Sequence, residues 1–296
     1  MPAGGGMSPV ELLFAPFVEV EVMKRALVGG FALSLGAVPV GVFLMLRRMS
    51  LIGDALSHAI LPGIAVGYFI SGLSLTVMTL GGLATGLAVA LLSGLIARAT
   101  TLKEDTSFAA LLIVALALGV AIVSLKGADE ELVHLLFGDV EALDRTAVMF
   151  LAVAATLSLA VLALIYRPLV MECVDPLFLR SVSRAGGVAH LTFLVLMVLN
   201  MVAGFRALGT LMAIGIMIVP AAAAQLWARS VPGLIVAALA IGLASCWLGL
   251  AGAYHLRQPP GPAVVLAAGL FYALSVLFGR AGGLIRRLPP APHLEA

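Results

Sequence analysis

The hydrophobic pattern of this chain comes in long apolar runs cut by brief polar stretches, with little of the alternation that marks half-buried strands. A helix that crosses a bilayer needs about 20 mostly apolar residues. Nine runs approach that length, at 22–46, 51–71, 74–97, 106–125, 144–166, 187–204, 207–227, 232–253 and 262–280. The second and sixth are the shortest or most interrupted by polar and Gly/Pro positions, so eight is the next count. The pattern predicts an all-α polytopic membrane protein of eight to nine spans. Residues 9–20 mix Glu11 and Glu19 with apolar side chains and are too short to span. They predict an interfacial helix within an N-terminal segment 1–21, followed by one transmembrane domain over 22–280 and a tail over 281–296.

Basic residues in short loops set orientation. With nine spans, Arg47, Arg48, Arg98, Lys103, Arg167, Arg180, Arg184, Arg229, Arg280, Arg286 and Arg287 fall on one side. Lys24, Arg25, Lys126, Arg145, Arg206 and Arg257 fall on the other. The richer side is read as cytoplasmic, which puts the C-terminus inside and loop 126–144 outside. That outer loop is long and carries Leu132, Val133, Leu135, Leu136 and Phe137, which suits a short helix dipping into the membrane. The inner loop 167–187 contains Asp175-Pro176, a helix-start signal, and Gly186-Gly187, a stop signal. It predicts a cytoplasmic helix of about three turns over 175–187, placed to dock a partner.

Composition agrees. Charged residues make up 11% of the 296, against about 25% in soluble domains. Net charge is +2, which gives no reason to expect nucleic acid. Cys173 and Cys246 stand far apart in different contexts, so neither a disulfide nor a CxxC metal site is expected. No basic stretch precedes an apolar run at the N-terminus, and no cleaved signal peptide is expected. None of the three lysines closes a GxxxxGK[ST] pattern, so ATP, if used, binds another chain. HExxH, GxSxG and a Ser/Lys dyad are absent as well.

One polar pair interrupts the second apolar run. In Arg47-Arg48-Met49-Ser50-Leu51-Ile52-Gly53-Asp54-Ala55-Leu56-Ser57-His58, the aspartate and histidine are four residues apart and share a helix face. A carboxylate near the bilayer centre costs roughly 2.5–3.5 kcal/mol, so it faces a partner or a polar pathway. Carboxylate plus imidazole is half of a divalent transition-metal site. The alternative is structural: Asp54 near a helix start caps free N–H groups or pairs with Arg47 or Arg48. Pro62 has no N–H for the carbonyl of His58, which predicts a helix break there, as in broken-helix transport sites. Two side chains do not complete a metal site, so water, another region or a second copy contributes.

Other polar residues have plainer readings. Asn200 suits an interhelical hydrogen bond or an additional pathway contact. His134 with Asp139 reads as solvated loop, or as a cation-capturing pair. His190 reads as a snorkelling side chain at the start of the sixth run. His255 and Arg257 flank a rigid external turn, and His293 lies in the tail.

The run RRMSLIGDALSHAILPGIAVG (47–67) resembles the signature of the membrane permease subunits of bacterial zinc, manganese and iron ABC importers. Further segments resemble that family in order. LLFGDV (135–140) matches its outer re-entrant segment and VDPLFLRSVSRAGG (174–187) its coupling helix. FRALGTLMAIGIMIVPAAAAQL (205–226) matches the helix that follows, and PPGPAVVLAAGLFY (259–272) the last external turn and final helix. The coupling segment has Leu179 and Ser183 where the family usually has Ala and Gly, and the external turn reads Arg257-Gln258-Pro259-Pro260-Gly261.

The resemblance implies a fold similar to the cobalamin and siderophore importer permeases, in a homodimer in the bacterial inner membrane. It implies two cytoplasmic ATPase subunits on the coupling helices and an extracytoplasmic binding protein that delivers the metal. It implies that Asp54 and His58 bind the ion in transit, with no bound cofactor and no catalysis by this chain. Two rivals remain at this stage: a gradient-driven secondary metal transporter, and a membrane-embedded metalloenzyme using the same two residues.

Overall fold

The computed structural model describes residues 9–72, 74–101, 104–126, 144–175, 178–179, 183 and 185–287. Regular structure among them is helical: α1 (Pro9–Glu19), α2 (Glu21–Leu46), α3 (Ser50–Ala59), α4 (Leu61–Ser71), α5 (Leu75–Ala99) and α6 (Glu104–Lys126). After an interval come α7 (Arg145–Val174), α8 (Ala185–Leu208), α9 (Thr210–Ala224), α10 (Val231–Leu256), α11 (Pro260–Phe278) and the single turn α12 (Leu284–Arg287). Each of the nine apolar runs falls on helix. Six described helices, α2, α5, α7, α8, α10 and α11, are long and apolar enough to cross a membrane. The count of nine is not reached on length. The second run is divided into α3 and α4, the described apolar part of α6 is Asp105–Gly119, and α9 has 15 residues.

Two helices form the middle of the bundle. The most apolar windows of α2 and α8 are 72% buried within the chain, against 22% for α11. Lipid tails are as apolar as leucine, so small residues that let backbones approach decide which helices sit inside. The buried face of α2 is built that way, with Gly29, Gly30, Ser34, Gly36, Ala37 and Gly41. Helix α2 packs against α7, α8, α9 and α10, and α8 against α5, α7 and α9. Helix α1 lies across α2 and α10, where the Phe14 ring meets Trp247 edge-on at 4.8 Å and Trp247 Nε1 donates to the Leu13 carbonyl at 3.2 Å.

The elbows that set the path are local. Helix α2 stops where Arg48 N–H bonds the Met45 carbonyl and Met49 N–H the Leu44 carbonyl, both at 3.0 Å. Arg48 takes a left-handed φ of 58°, a conformation usually left to glycine at helix ends. Gly209, with φ 87°, turns α8 into α9.

The stretch between the fifth and sixth runs departs from expectation at both ends. Helix α7 continues to Val174 rather than ending near 166, even through Pro168. Its last two turns are held because Leu169 is fully buried and Glu172 is ion-paired to Arg47. Helix α8 begins at Ala185, so Gly186-Gly187 belong to its first turn and stop nothing. A Cβ on Gly186 would come 2.8 Å from Leu179 Cδ2, so this glycine makes room for Leu179. Asp175 does cap the intervening segment: Phe178 N–H donates to its Oδ1 at 2.9 Å, and Ser183 Oγ accepts from Ala185 N–H at 3.0 Å. The rest of the expected helix 175–187 (176–177, 180–182 and 184) lies outside the described residues, as do 127–143 of the outer loop, with His134 and Asp139, and 288–296 of the tail, with His293.

Asn200 bridges helices. Its Nδ2 donates to Ser158 Oγ of α7 at 2.7 Å and to the Leu196 carbonyl at 2.8 Å, all buried. Interhelical hydrogen bonds in membranes average about 0.6 kcal/mol and reach about 1.7. Asn200→Ala is expected to lower the stability of the detergent-solubilised protein by about 1 kcal/mol, read as a drop in thermal midpoint. Transport per folded molecule should stay the same.

Candidate functional site

Asp54 and His58 both fall in α3, a helix of only ten residues bounded by two breaks. The first is the Arg48 elbow. The second is at Ile60, between the last residue of α3 and the first of α4. Pro62 accounts for the second, since it occupies the first turn of α4, where a missing N–H costs nothing. The Ile60 carbonyl is nonetheless well used. It accepts from Gly63 N–H at 3.2 Å, Ile64 N–H at 3.3 Å and Thr85 Oγ1 of α5 at 3.3 Å. The break predicted at His58–Pro62 is present, and α5 anchors it.

The packing of α3 defines its open side. Ile52, Gly53, Leu56, Ser57 and Ala59 are buried, facing α5, α6 and α9. Gly53 is seated on α9, where a Cβ would meet Met217 Cε at 3.0 Å and Ile218 Cδ1 at 3.1 Å. His58 is exposed on the single chain. Position 54 lies one turn earlier along the same face of α3. Among the described residues no group of three or more His, Cys, Asp or Glu comes together as a metal site. Asn200 is committed to Ser158 on α7 and His255 stacks edge-on with Tyr254 at 5.3 Å. Both cysteines are free thiols, with Cys246 Sγ 3.3 Å from Ser34 Oγ.

A second polar group escaped the sequence reading. Arg47, expected as a loop cation or as a partner of Asp54, has a largely covered side chain at the end of α2. Its Nη2 lies 3.2 Å from Glu172 Oε2 of α7, with the two side chains 9% and 8% exposed. Its Nη1 lies 2.6 Å from His190 Nδ1 of α8, and the guanidinium stands 5.2 Å from the centre of the Phe193 ring. Arginine has no acceptor, so His190 Nδ1 accepts, which leaves the ring proton on Nε2. His190 does not snorkel; it is buried. The residues stand 18, 125 and 143 positions apart in the chain, and no local pattern announces them.

A short helix with a break at each end and an imidazole on its open face is thus set among long apolar helices. Comparison with known proteins supplies the class. The model of the ABC 3 transport family matches residues 19–279. The chain is 33% identical over 258 residues to the manganese import system permease protein ScaB of Streptococcus parasanguinis, covering 87% of this chain and 90% of that one. It is 28% identical over 267 residues to the chelated iron transport system membrane protein YfeD of Yersinia pestis, covering 90% and 88%. Among solved structures, PsaBC of Streptococcus pneumoniae in complex with Fab superposes with a TM-score of 0.77 at 27% identity, covering 92% of this chain and 97% of that one.

The chain therefore belongs to the ABC 3 transport family. It is the membrane permease of an ABC metal importer, a transport component rather than an enzyme.

Proposed function

We propose that two copies of this chain form the pathway for a divalent transition metal, with Asp54 and His58 of each copy as its ligands in transit. The observation that carries this reading is the exposed imidazole of His58 on α3, in a chain otherwise built to meet lipid. A polar group at membrane depth is costly against hydrocarbon, so a partner chain or water is expected to face it. A second copy that presents the same face would double the ligand set, which one copy alone leaves short of four. Deprotonated Asp54 supplies charge that offsets the ion's lost hydration, and neutral His58 supplies a nitrogen ligand. Ligands that hold the ion only briefly let it leave again.

The remaining assignments follow the family. Zinc, manganese and iron all suit a carboxylate–imidazole site, and the relatives are named for manganese and for chelated iron. An extracytoplasmic binding protein delivers the metal. Cytoplasmic ATPase subunits dock on the segment around 175–187, and the C-terminus lies on their side of the inner membrane. ATP closure in those subunits drives the switch between the two access states.

The test is uptake of radiolabelled zinc, manganese and iron by cells that express this chain with its neighbouring ATPase and binding protein. ATP-dependent accumulation of one of these ions supports the reading and names the cargo. Uptake that persists without the ATPase would point instead to a gradient-driven transporter.

A further inference from the structure

We propose that Arg47 is a positioning residue for transport: clamped between Glu172 of α7 and His190 of α8, it ties these two helix ends to α3, so that a relative movement of the two ends resets the metal-ligand helix. The inference rests on the transport reading above and goes beyond it by naming the link.

The geometry places the clamp at a junction. Glu172 is two residues before the end of α7 and His190 is in the second turn of α8. These two helices enter and leave the segment capped by Asp175 and Ser183. Arg47 follows the last residue of α2, and after it only Arg48 and Met49 precede α3. One guanidinium thus holds three helix ends and stands three residues from the helix that carries Asp54 and His58. Its planar fork meets both partners at once, through Nη2 to the carboxylate and Nη1 to the imidazole.

Helix α3 is suited to receive such a displacement. It has a left-handed elbow at Arg48 behind it and, ahead, the interruption at Ile60, where the backbone itself stays helical. Hinge transitions use a few loop or element-terminal residues to absorb the backbone change, and Arg48 is such a position. The Ile60 end is held to α5 through Thr85. A shift at Arg47 would therefore swing the Asp54–His58 face about a fixed far end rather than translate the whole helix. Desolvation of the two charges offsets much of their attraction, so the pair is weak evidence for a purely stabilising role.

The test uses the full importer, this chain with its ATPase and binding protein, in proteoliposomes, with metal uptake and ATP hydrolysis measured on the same sample. Arg47→Gln removes the charge and the fork together. Arg47→Lys keeps the charge toward Glu172 but has no planar fork to reach His190 as well. The expected result is that Arg47→Gln assembles and hydrolyses ATP within about twofold of wild type while uptake per ATP falls at least tenfold. Arg47→Lys should recover a substantial part of that ratio, and Glu172→Gln should lower it without loss of assembly. If the ratio stays at the wild-type value in Arg47→Gln, the clamp transmits nothing. If uptake and ATP hydrolysis fall together with the amount of folded complex in all three variants, the clamp is structural and the proposal fails. Wild-type importer that moves no metal removes the transport reading itself, and this inference with it.

Discussion

His58→Ala is expected to cut metal uptake by at least tenfold, with the protein still in the membrane and still co-purifying with the ATPase proposed as its partner. Asp54→Ala should act in the same direction and more strongly. Even groups that only orient a metal ligand typically change affinity or activity by 10- to 100-fold, so loss of a ligand falls at that scale or above. Asp54→Ala also removes the only formal negative charge on α3, which in the proposed pathway would offset the ion's positive charge. Stability should be little affected by the histidine change, because the His58 side chain is exposed on the single chain. The measurement is radiolabelled metal uptake normalised to membrane expression, alongside co-purification with the ATPase. Uptake at wild-type level in both variants would return the pair to helix capping and move the search to the outer loop 126–144.

The largest expected loss of stability lies one turn beyond the break. Gly63 of α4 and Gly81 of α5 cross so closely that a Cβ on either would overlap the backbone carbonyl oxygen of the other. Neither obstacle is a side chain that could rotate away. Gly63→Ala must therefore separate α4 from α5, and with them the Thr85 hydroxyl from the Ile60 carbonyl it binds. Overpacking a tight interior costs roughly 1–3 kcal/mol, and an overlap with main chain belongs at or above the top of that range. The expected outcome is a collapse of the monodisperse fraction recovered in detergent, together with a lower thermal midpoint. Gly269→Ala in α11 is the control, since nothing lies within 4 Å of its added Cβ. That variant should stay at wild-type stability or gain up to about 1 kcal/mol from better helix propensity. Equal behaviour of the two would mean that the α4–α5 crossing is looser than the geometry described here.

The helical character and the position of each apolar run were readable from the chain, because hydropathy over about twenty residues is a local property. The Ile60 break was readable too, since Pro62 removes a backbone donor whatever surrounds it. Helix lengths were less so. Helix α7 outran its apolar stretch by eight residues because Glu172 meets Arg47 and Leu169 is buried, and both contacts are long-range. Gly186 and Gly187 read as a stop in sequence, yet both lie in the first turn of α8 and Gly186 makes room for Leu179. Sequence alone cannot separate these two uses of glycine, as both rest on the missing Cβ.

For the candidate site, four-residue spacing was enough to put positions 54 and 58 on one face of a helix. It could not say that the remaining sides of α3 are covered by α5, α6 and α9, which is what leaves His58 open. Arg47 shows the limit most plainly. In sequence it was a basic residue at a span end or a partner of Asp54; in the fold it is a largely covered guanidinium shared by α7 and α8.

The sequence by itself determined that this is a polytopic helical membrane protein, where one of its helices breaks, and which polar pair interrupts the apolar pattern. Each of those is fixed by composition or by backbone chemistry within a few residues. Only the tertiary structure decided that α2 and α8 are central, that α3 keeps one face open, and that Arg47, Glu172 and His190 meet. In lipid no hydrophobic contrast tells one apolar helix face from another, so close packing of small residues and a few buried polar contacts make that choice.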